Sequence, residues 1–182
     1  MLLKSITLLT AVFSMAAISD TPLPDLAIGD KMPAPDVQLK EVHEKMLTLA
    51  GSKGENGLLV IFSCNTCPFV VGSEGSEGWE GRYPGLSALA KEKGIGMVLV
   101  NSNEAKRDNG DGFTDMQLHY RSHGYTCAYV LDAGHKVADA FGARTTPHVF
   151  LFDKELKLAY KGAIDDNVDS AAGATQHWLN NA

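Results

Sequence analysis

Cys64 and Cys67 are separated by two residues in the run LLVIFSCNTCPFVV, Leu58 to Val71, a spacing that allows one local disulfide. Such a pair can exchange electrons with an outside disulfide: one thiolate attacks, a mixed disulfide forms, and the second sulfur displaces the partner. The position in the chain favours that chemistry. Leu58 to Phe62 is too short for a typical helix and carries Val and Ile, so it reads as a buried strand, whereas Pro68 is tolerated only in the first turn of a helix. The sulfurs therefore fall where a strand hands over to a helix. Free backbone N–H groups and the positive end of the dipole at a helix start stabilise thiolate over thiol, so Cys64 is expected to be activated there, with Cys67 one turn away.

The whole chain bounds what those sulfurs can serve. Its 182 residues, 45% hydrophobic and 21% charged, suffice for one globular domain. Residues 1–19 read as a secretory leader: Lys4 supplies the positive region, Ile6 to Ile18 the thirteen-residue apolar stretch, and Ala17-Ile18-Ser19 the small-residue cleavage site. This leaves 20–182 as the domain and sends it outside the cytoplasm, periplasmic or secreted. The apolar stretch is shorter than the roughly 20 residues of a spanning helix, and no membrane attachment is expected after cleavage. Loss of Lys4, the one charge in the leader, takes the formal net charge from -6 to -7. An acidic chain without basic clusters is a poor partner for nucleic acid or anionic lipid. Three cysteines are too few for a disulfide scaffold, and a close pair exported into an oxidising compartment stays reduced only if something reduces it. Redox exchange is the work this implies.

The elements that must position the pair follow in order. Asp36 to Val42 and Lys45 to Leu49 read as two short strands around a His43-Glu44 turn, before the central strand. Glycine at every third position from Gly72 to Gly81 costs a helix about 1 kcal/mol each and marks a loop; it lacks the Lys-Ser/Thr of a phosphate cradle and carries Glu74, Glu77 and Glu80 instead. Pro84 opens a helix that Gly94 ends, and Ile95 to Val100 is the next buried strand. Asp108-Asn109-Gly110-Asp111-Gly112 lacks the acidic spacing of a calcium loop and reads as a solvated turn. Phe113, Met116 and Tyr120 form a helical stripe, Cys127 to Leu131 a strand, Val137 to Phe141 a short helix, and Val149–Phe152 with Leu156–Tyr160 a hairpin. A last helix is expected from about Ser170, barely begun where the sequence stops at Ala182. Alternation of this kind predicts an α/β fold with a central mixed sheet flanked by helices and an N-terminal β-hairpin extension.

With the cysteine pair closing one strand and Arg144-Thr145-Thr146-Pro147 preceding another about eighty residues later, the sequence resembles the thioredoxin-like redoxins. It is most similar to the exported thiol-disulfide oxidoreductases related to the alkyl hydroperoxide reductase and thiol-specific antioxidant proteins, from about Gly29 to Asn167, including Ala34-Pro35-Asp36 and Tyr160 to Asn167. The resemblance implies a thioredoxin-like fold, a cis Thr146–Pro147 bond against the cysteines, and substrate pairing with the Thr146 backbone. It implies that Cys64 is the more exposed, attacking sulfur and Cys67 the resolving one. Partners would be protein or small-molecule disulfides and an unidentified electron donor; no cofactor and no resident metal are called for. Asn65-Thr66 offers no charge to stabilise the thiolate, which favours a reductant. His148 is a candidate proton acceptor, since imidazole titrates near neutral pH. Cys127 reads as a core residue, Trp79 and Trp178 as core or interface, and Asp165-Asp166-Asn167 as a turn and helix cap.

Two alternatives stay open. A peroxiredoxin-like peroxidase would align its reactive cysteine on Cys67, but Cys64 then stands at the usual threonine position and the usual arginine falls near Pro147, with Arg144 close by. A copper-binding module would use Cys64, Cys67 and His148 as soft ligands.

Overall fold

The computed structural model describes residues 24–182, and the expected leader lies outside the described residues. Strand β3, Gly57–Ser63, is buried at all seven positions, which suits a continuous apolar run covered on both faces. Its alternate side chains feed two layers. Leu59 and Ile61 pack with Leu86 and Ala90 of helix α2 (Tyr83–Glu92) and with Met116 of helix α3 (Phe113–Ser122). Leu58, Val60 and Phe62 meet Val137 and Phe141 of helix α4 (Lys136–Phe141) on the other side.

Strands β1 (Leu39–Glu41), β2 (Met46–Leu47), β4 (Ile95–Asn101), β5 (Ala128–Leu131), β6 (His148–Asp153) and β7 (Leu158–Gly162) complete a seven-stranded sheet of order β2-β1-β5-β4-β3-β6-β7. The expected hairpin extension is present and covers β5, pairing Lys40 with Leu131. β4 runs parallel to β3 from Gly57↔Ile95 to Ser63↔Asn101, so the two strands finish level and the loops after them open at one end. β6 runs antiparallel, with Phe62 opposite His148, so the segment before it opens at that same end.

Local chemistry shifts some boundaries. Helix α1 is Pro68–Val71 with Cys67 as its N-cap, so Cys64 lies before the helix rather than at its start. Strand β7 starts at Leu158, not Leu156, because Asp153 Oδ1 accepts the N–H groups of Glu155 and Lys157 and closes a turn that leaves Leu156 at positive φ. The last helix, α5, covers only Trp178–Asn181. Ahead of it Asp166 accepts from Thr175 Oγ1 and from the Thr175 and Gln176 N–H groups, which fixes a loop where a helix from Ser170 was expected. Asp165 is no helix cap either: it is buried and binds Trp79 Nε1 at 2.7 Å and Arg82 Nε at 2.9 Å. Among the described residues no helix is long and apolar enough to cross a membrane.

Candidate active site

The two sulfurs differ in a way the sequence misassigned. Cys64 is 2% exposed, whereas Cys67 is only partly buried. Next to Cys64, Ser63, also buried at the end of β3, has its hydroxyl 2.9 Å from Tyr83 Oη of α2 inside the core. Burial is the main reason the Cys64 thiol is pushed up to about 11; a hydrogen bond with Thr146 works against this, and the negative charges of Cys67 and Asp111 add to it. The activation expected of a helix start therefore does not reach Cys64. All three cysteines are unpaired, so the geometry is that of the dithiol form.

Both sulfurs meet Thr146. Cys64 Sγ lies 3.4 Å from Thr146 Oγ1, and the Cys67 thiol donates to the Thr146 carbonyl at 3.4 Å. The Thr146–Pro147 bond is cis, as the resemblance implies. Thr146 forms a ridge between two depressions. One, of about 430 Å³, contains Cys64, Cys67, Asn103, Arg144 and Thr146. The other, of about 420 Å³, is walled by Phe69, Trp79, Pro147 and His148, and Phe69 is 60% exposed there.

The residues between the sulfurs are held from below by a group the sequence reading took for a solvated turn. Asp111 is fully buried. Its carboxylate accepts from the Asn65 N–H at 2.6 Å, Thr66 Oγ1 at 2.6 Å, Asn101 Nδ2 at 2.8 Å and Asn103 Nδ2 at 2.8 Å. Asn65 is further tied by Tyr129 Oη to its Oδ1 and by its Nδ2 to the Gly110 carbonyl. Gly110 has φ +102°, and a Cβ there would stand 2.7 Å from Thr66 Cγ2, so glycine lets the loop close on the cysteine turn. Arg107 completes the assembly, donating to Asn101 Oδ1 and to the carbonyls of Asn101 and Asp111. Asn101 at the end of β4 was the signal available in advance. Parallel strands that finish together bring their following loops together.

The other expected residues are dispersed. His148 faces the aromatic depression, accepts the Arg144 N–H at Nδ1 (3.3 Å), and makes no hydrogen bond to either sulfur. Burial, then the charges of Lys161 and Arg144, hold its imidazole below the usual value. Among the described residues Cys64, Cys67 and His148 do not gather into a metal-ligand cluster. Arg144 lines the sulfur cleft, as the peroxidase alternative requires of a nearby arginine. Cys127 packs against the Leu59 and Ile61 layer, and burial pushes its thiol up to about 12, which suits a core residue.

Comparison with known proteins supports the fold and the family. A hypothetical protein of Sinorhizobium meliloti 1021 is similar at 29% identity and a TM-score of 0.74, covering 90% of this chain and 85% of its own. An uncharacterized conserved protein of Geobacillus kaustophilus shares 28% identity at a TM-score of 0.70, over 81% of this chain and 75% of its own. The thioredoxin domain of a thiol-disulfide oxidoreductase from Bacteroides vulgatus, at 19% identity, superposes with a TM-score of 0.56 over 76% of this chain and 90% of its own, so the fold is thioredoxin-like. No curated protein matches the chain. The Redoxin family model matches residues 27–175, from before the first strand to beyond the last, and takes in the cysteine turn, the Asp111 loop and the cis bond together: the chain belongs to the Redoxin family.

Proposed function

We propose that the protein is a thiol-disulfide oxidoreductase that works through Cys64 and Cys67, and that it favours the direction of a reductant. The observation that carries this reading is the contact of both sulfurs with Thr146 at 3.4 Å, beside a cis proline and a cleft open to solvent. Cys67, the more accessible sulfur, attacks a partner disulfide as thiolate. A Cys67–partner bond forms, and the first partner sulfur leaves and takes up a proton. Cys64 then attacks Cys67, releasing the second partner sulfur. The protein is left as the Cys64–Cys67 disulfide and the partner as a dithiol, with two electrons and two protons transferred. Once Cys67 is bonded to the partner, its charge no longer opposes ionisation of Cys64, and Thr146 Oγ1 is placed to donate to the emerging thiolate.

The burial of Cys64 supports that direction. A strong oxidant stabilises its reduced form through a low-pKa thiolate, whereas burial raises Cys64. A potential nearer thioredoxin's, about -270 mV, than the roughly -120 mV of a strong oxidant is expected. Two structural neighbours, a thiol-disulfide oxidoreductase of Bacteroides vulgatus and a thiol:disulfide interchange protein of Chlorobium tepidum, favour the same class. The leader in residues 1–19 supports export, with 20–182 as the working domain. Partner disulfides would lie along Thr146 and Pro147, with His148 at the edge of the aromatic depression as a proton acceptor.

A peroxidase is the second reading, favoured by the accessibility of Cys67 and by Arg144 in the same cleft. Two structural neighbours, the alkyl-peroxide-reducing bacterioferritin comigratory protein of Xanthomonas campestris and PrxQ of Xylella fastidiosa, favour it too. One assay pair separates the two. Insulin disulfides reduced by the protein with a thiol donor, with Cys67→Ser inactive and hydrogen peroxide consumed no faster than by the donor alone, support exchange. Rapid peroxide turnover without insulin reduction overturns it.

A further inference from the structure

Glu80, His119 and His123 form a second cluster that lines no part of the sulfur cleft. Glu80 begins the single-turn 3-10 helix Glu80–Arg82, His119 sits in the last turn of α3, and His123 is the C-cap of that helix. The two histidines are four apart, so their rings stack on one face, 3.9 Å between centroids and 19° from parallel. Both aim Nε2 at the same carboxylate. His119 Nε2 is bonded to Glu80 Oε1, and His123 Nε2 stands 3.6 Å from Glu80 Oε2. The side chains of Glu80 and His119 are 8% and 13% exposed, while that of His123 is 43% exposed and leaves one side open to solvent.

The hydrogen bonds of His123 engage its other ring nitrogen. Nδ1 lies 3.1 Å from the His119 carbonyl and 3.0 Å from Ser122 Oγ, and the Ser122 hydroxyl also reaches that carbonyl at 3.0 Å. A carbonyl only accepts, so these contacts place a proton on Nδ1, and in the neutral ring Nε2, which faces the carboxylate, is the nitrogen that can take an ion. Tyr125 donates its hydroxyl to Glu80 Oε1 and holds the carboxylate in place, in the manner of an outer-shell partner.

We propose that Glu80, His119 and His123 bind one divalent transition-metal ion, for which zinc is the probe. Two imidazole nitrogens and one carboxylate oxygen are ligands that zinc takes in sites with an open fourth position. The three ligand atoms lie within 4.8 Å of one another. Ligands at about 2.0–2.1 Å from a tetrahedral ion stand about 3.3 Å apart, close to the 3.6 Å between His123 Nε2 and Glu80 Oε2. His119 exchanges its direct bond to Glu80 for the ion. Binding ties the turn that leads into α2 to the end of α3, independently of what the cysteines do.

The test is a zinc titration of the Cys64→Ser/Cys67→Ser/Cys127→Ser protein against a chromophoric zinc indicator, with thiolate ligands removed. One equivalent is expected to bind, at least tenfold more weakly in His119→Gln and His123→Gln and unchanged in His135→Gln, whose imidazole pairs with Asp139 elsewhere on the surface. His123 is the safest substitution for folding because it is the most exposed of the three, and far-ultraviolet circular dichroism checks this. In the unaltered chain, zinc is expected to slow diethylpyrocarbonate modification at His119 and His123, mapped by mass spectrometry. No stoichiometric binding, full affinity in His123→Gln, or protection confined to other histidines overturns the proposal.

Discussion

Asp111→Ala strikes the site at the residue on which its geometry depends. The carboxylate accepts four hydrogen bonds at 2.6–2.8 Å in full burial. Two donors keep a second acceptor when it is removed: Asn101 Nδ2 has Tyr129 Oη at 3.0 Å, and Asn103 Nδ2 has Thr66 Oγ1 at 3.3 Å. The Asn65 N–H and the Thr66 hydroxyl lose their acceptor outright. A bond to a charged group contributes about 1.5–3 kcal/mol, and a buried donor left unpaired costs about 1–3 kcal/mol. Two bonds lost and two weakened, less the relief of no longer desolvating a carboxylate, come to about 3–5 kcal/mol. That is a large share of the roughly 5–15 kcal/mol holding a domain together. Asp111→Asn keeps one oxygen and turns an NH2 group towards the remaining donors, so about 2 kcal/mol is expected. Urea unfolding of both variants beside the parent gives the numbers. Because the Asp111 charge helps raise the Cys64 thiol, iodoacetamide should also label Cys64 faster in both variants near pH 9. A loss below about 1 kcal/mol in Asp111→Ala, or an equal loss in the two variants, would refute the four-donor account.

Three further outcomes follow from the same geometry. In the parent dithiol at neutral pH, Cys67 is expected to take iodoacetamide before Cys64, whose labelling keeps accelerating towards a midpoint of about 11; mass mapping that finds Cys64 modified first would contradict the assigned roles. His148 is held below its unfolded value, so the unfolded chain takes up its proton first. Its contribution to stability is complete above about pH 6.5 and is lost as pH falls through the folded value; denaturation midpoints measured from about pH 8 to pH 5 should fall less steeply in His148→Gln than in the parent. Tyr83→Phe leaves Ser63 Oγ buried without its 2.9 Å partner and is expected to cost about 1–2 kcal/mol in urea unfolding, with Cys64 labelled faster as the end of β3 loosens.

The sheet was legible because β3 and β4 are short apolar runs between turn residues, and the hairpin at 39–47 because two such runs flank a polar turn. The cis Thr146–Pro147 bond was legible through the resemblance. What composition hid was direction of burial. Asp108 to Gly112 has the composition of a solvated turn, yet Asp111 points into the protein because Asn101 at the end of β4 and Asn65 and Thr66 after β3 offer its carboxylate donors there. Pro68 marked the first turn of the helix after the cysteines, but not that it is the first helical residue, which leaves Cys67 as the N-cap and Cys64 ahead of the helix. The Glu80, His119 and His123 cluster was invisible for a similar reason: the glutamate lies in the glycine-rich loop, which gives no periodicity to register it against a helix thirty-nine residues away.

Strand direction explains why such different segments meet. The parallel pair β3 and β4 sends the cysteine turn and the Asp111 loop out of the same end of the sheet, and antiparallel β6 brings the cis bond back to it. Each segment supplies what the others lack. The first carries the sulfurs, the second an acceptor for the turn between them, and the third a hydroxyl and a carbonyl for the sulfurs themselves. The cost is that Asn65 and Thr66, the pair that could have tuned the sulfurs on either side, commit their polar groups to Asp111 and its neighbours. With no cationic side chain inserted between the cysteines, burial and nearby negative charge govern Cys64, and both work against a stabilised thiolate. That division of labour is in keeping with the reductant proposed above.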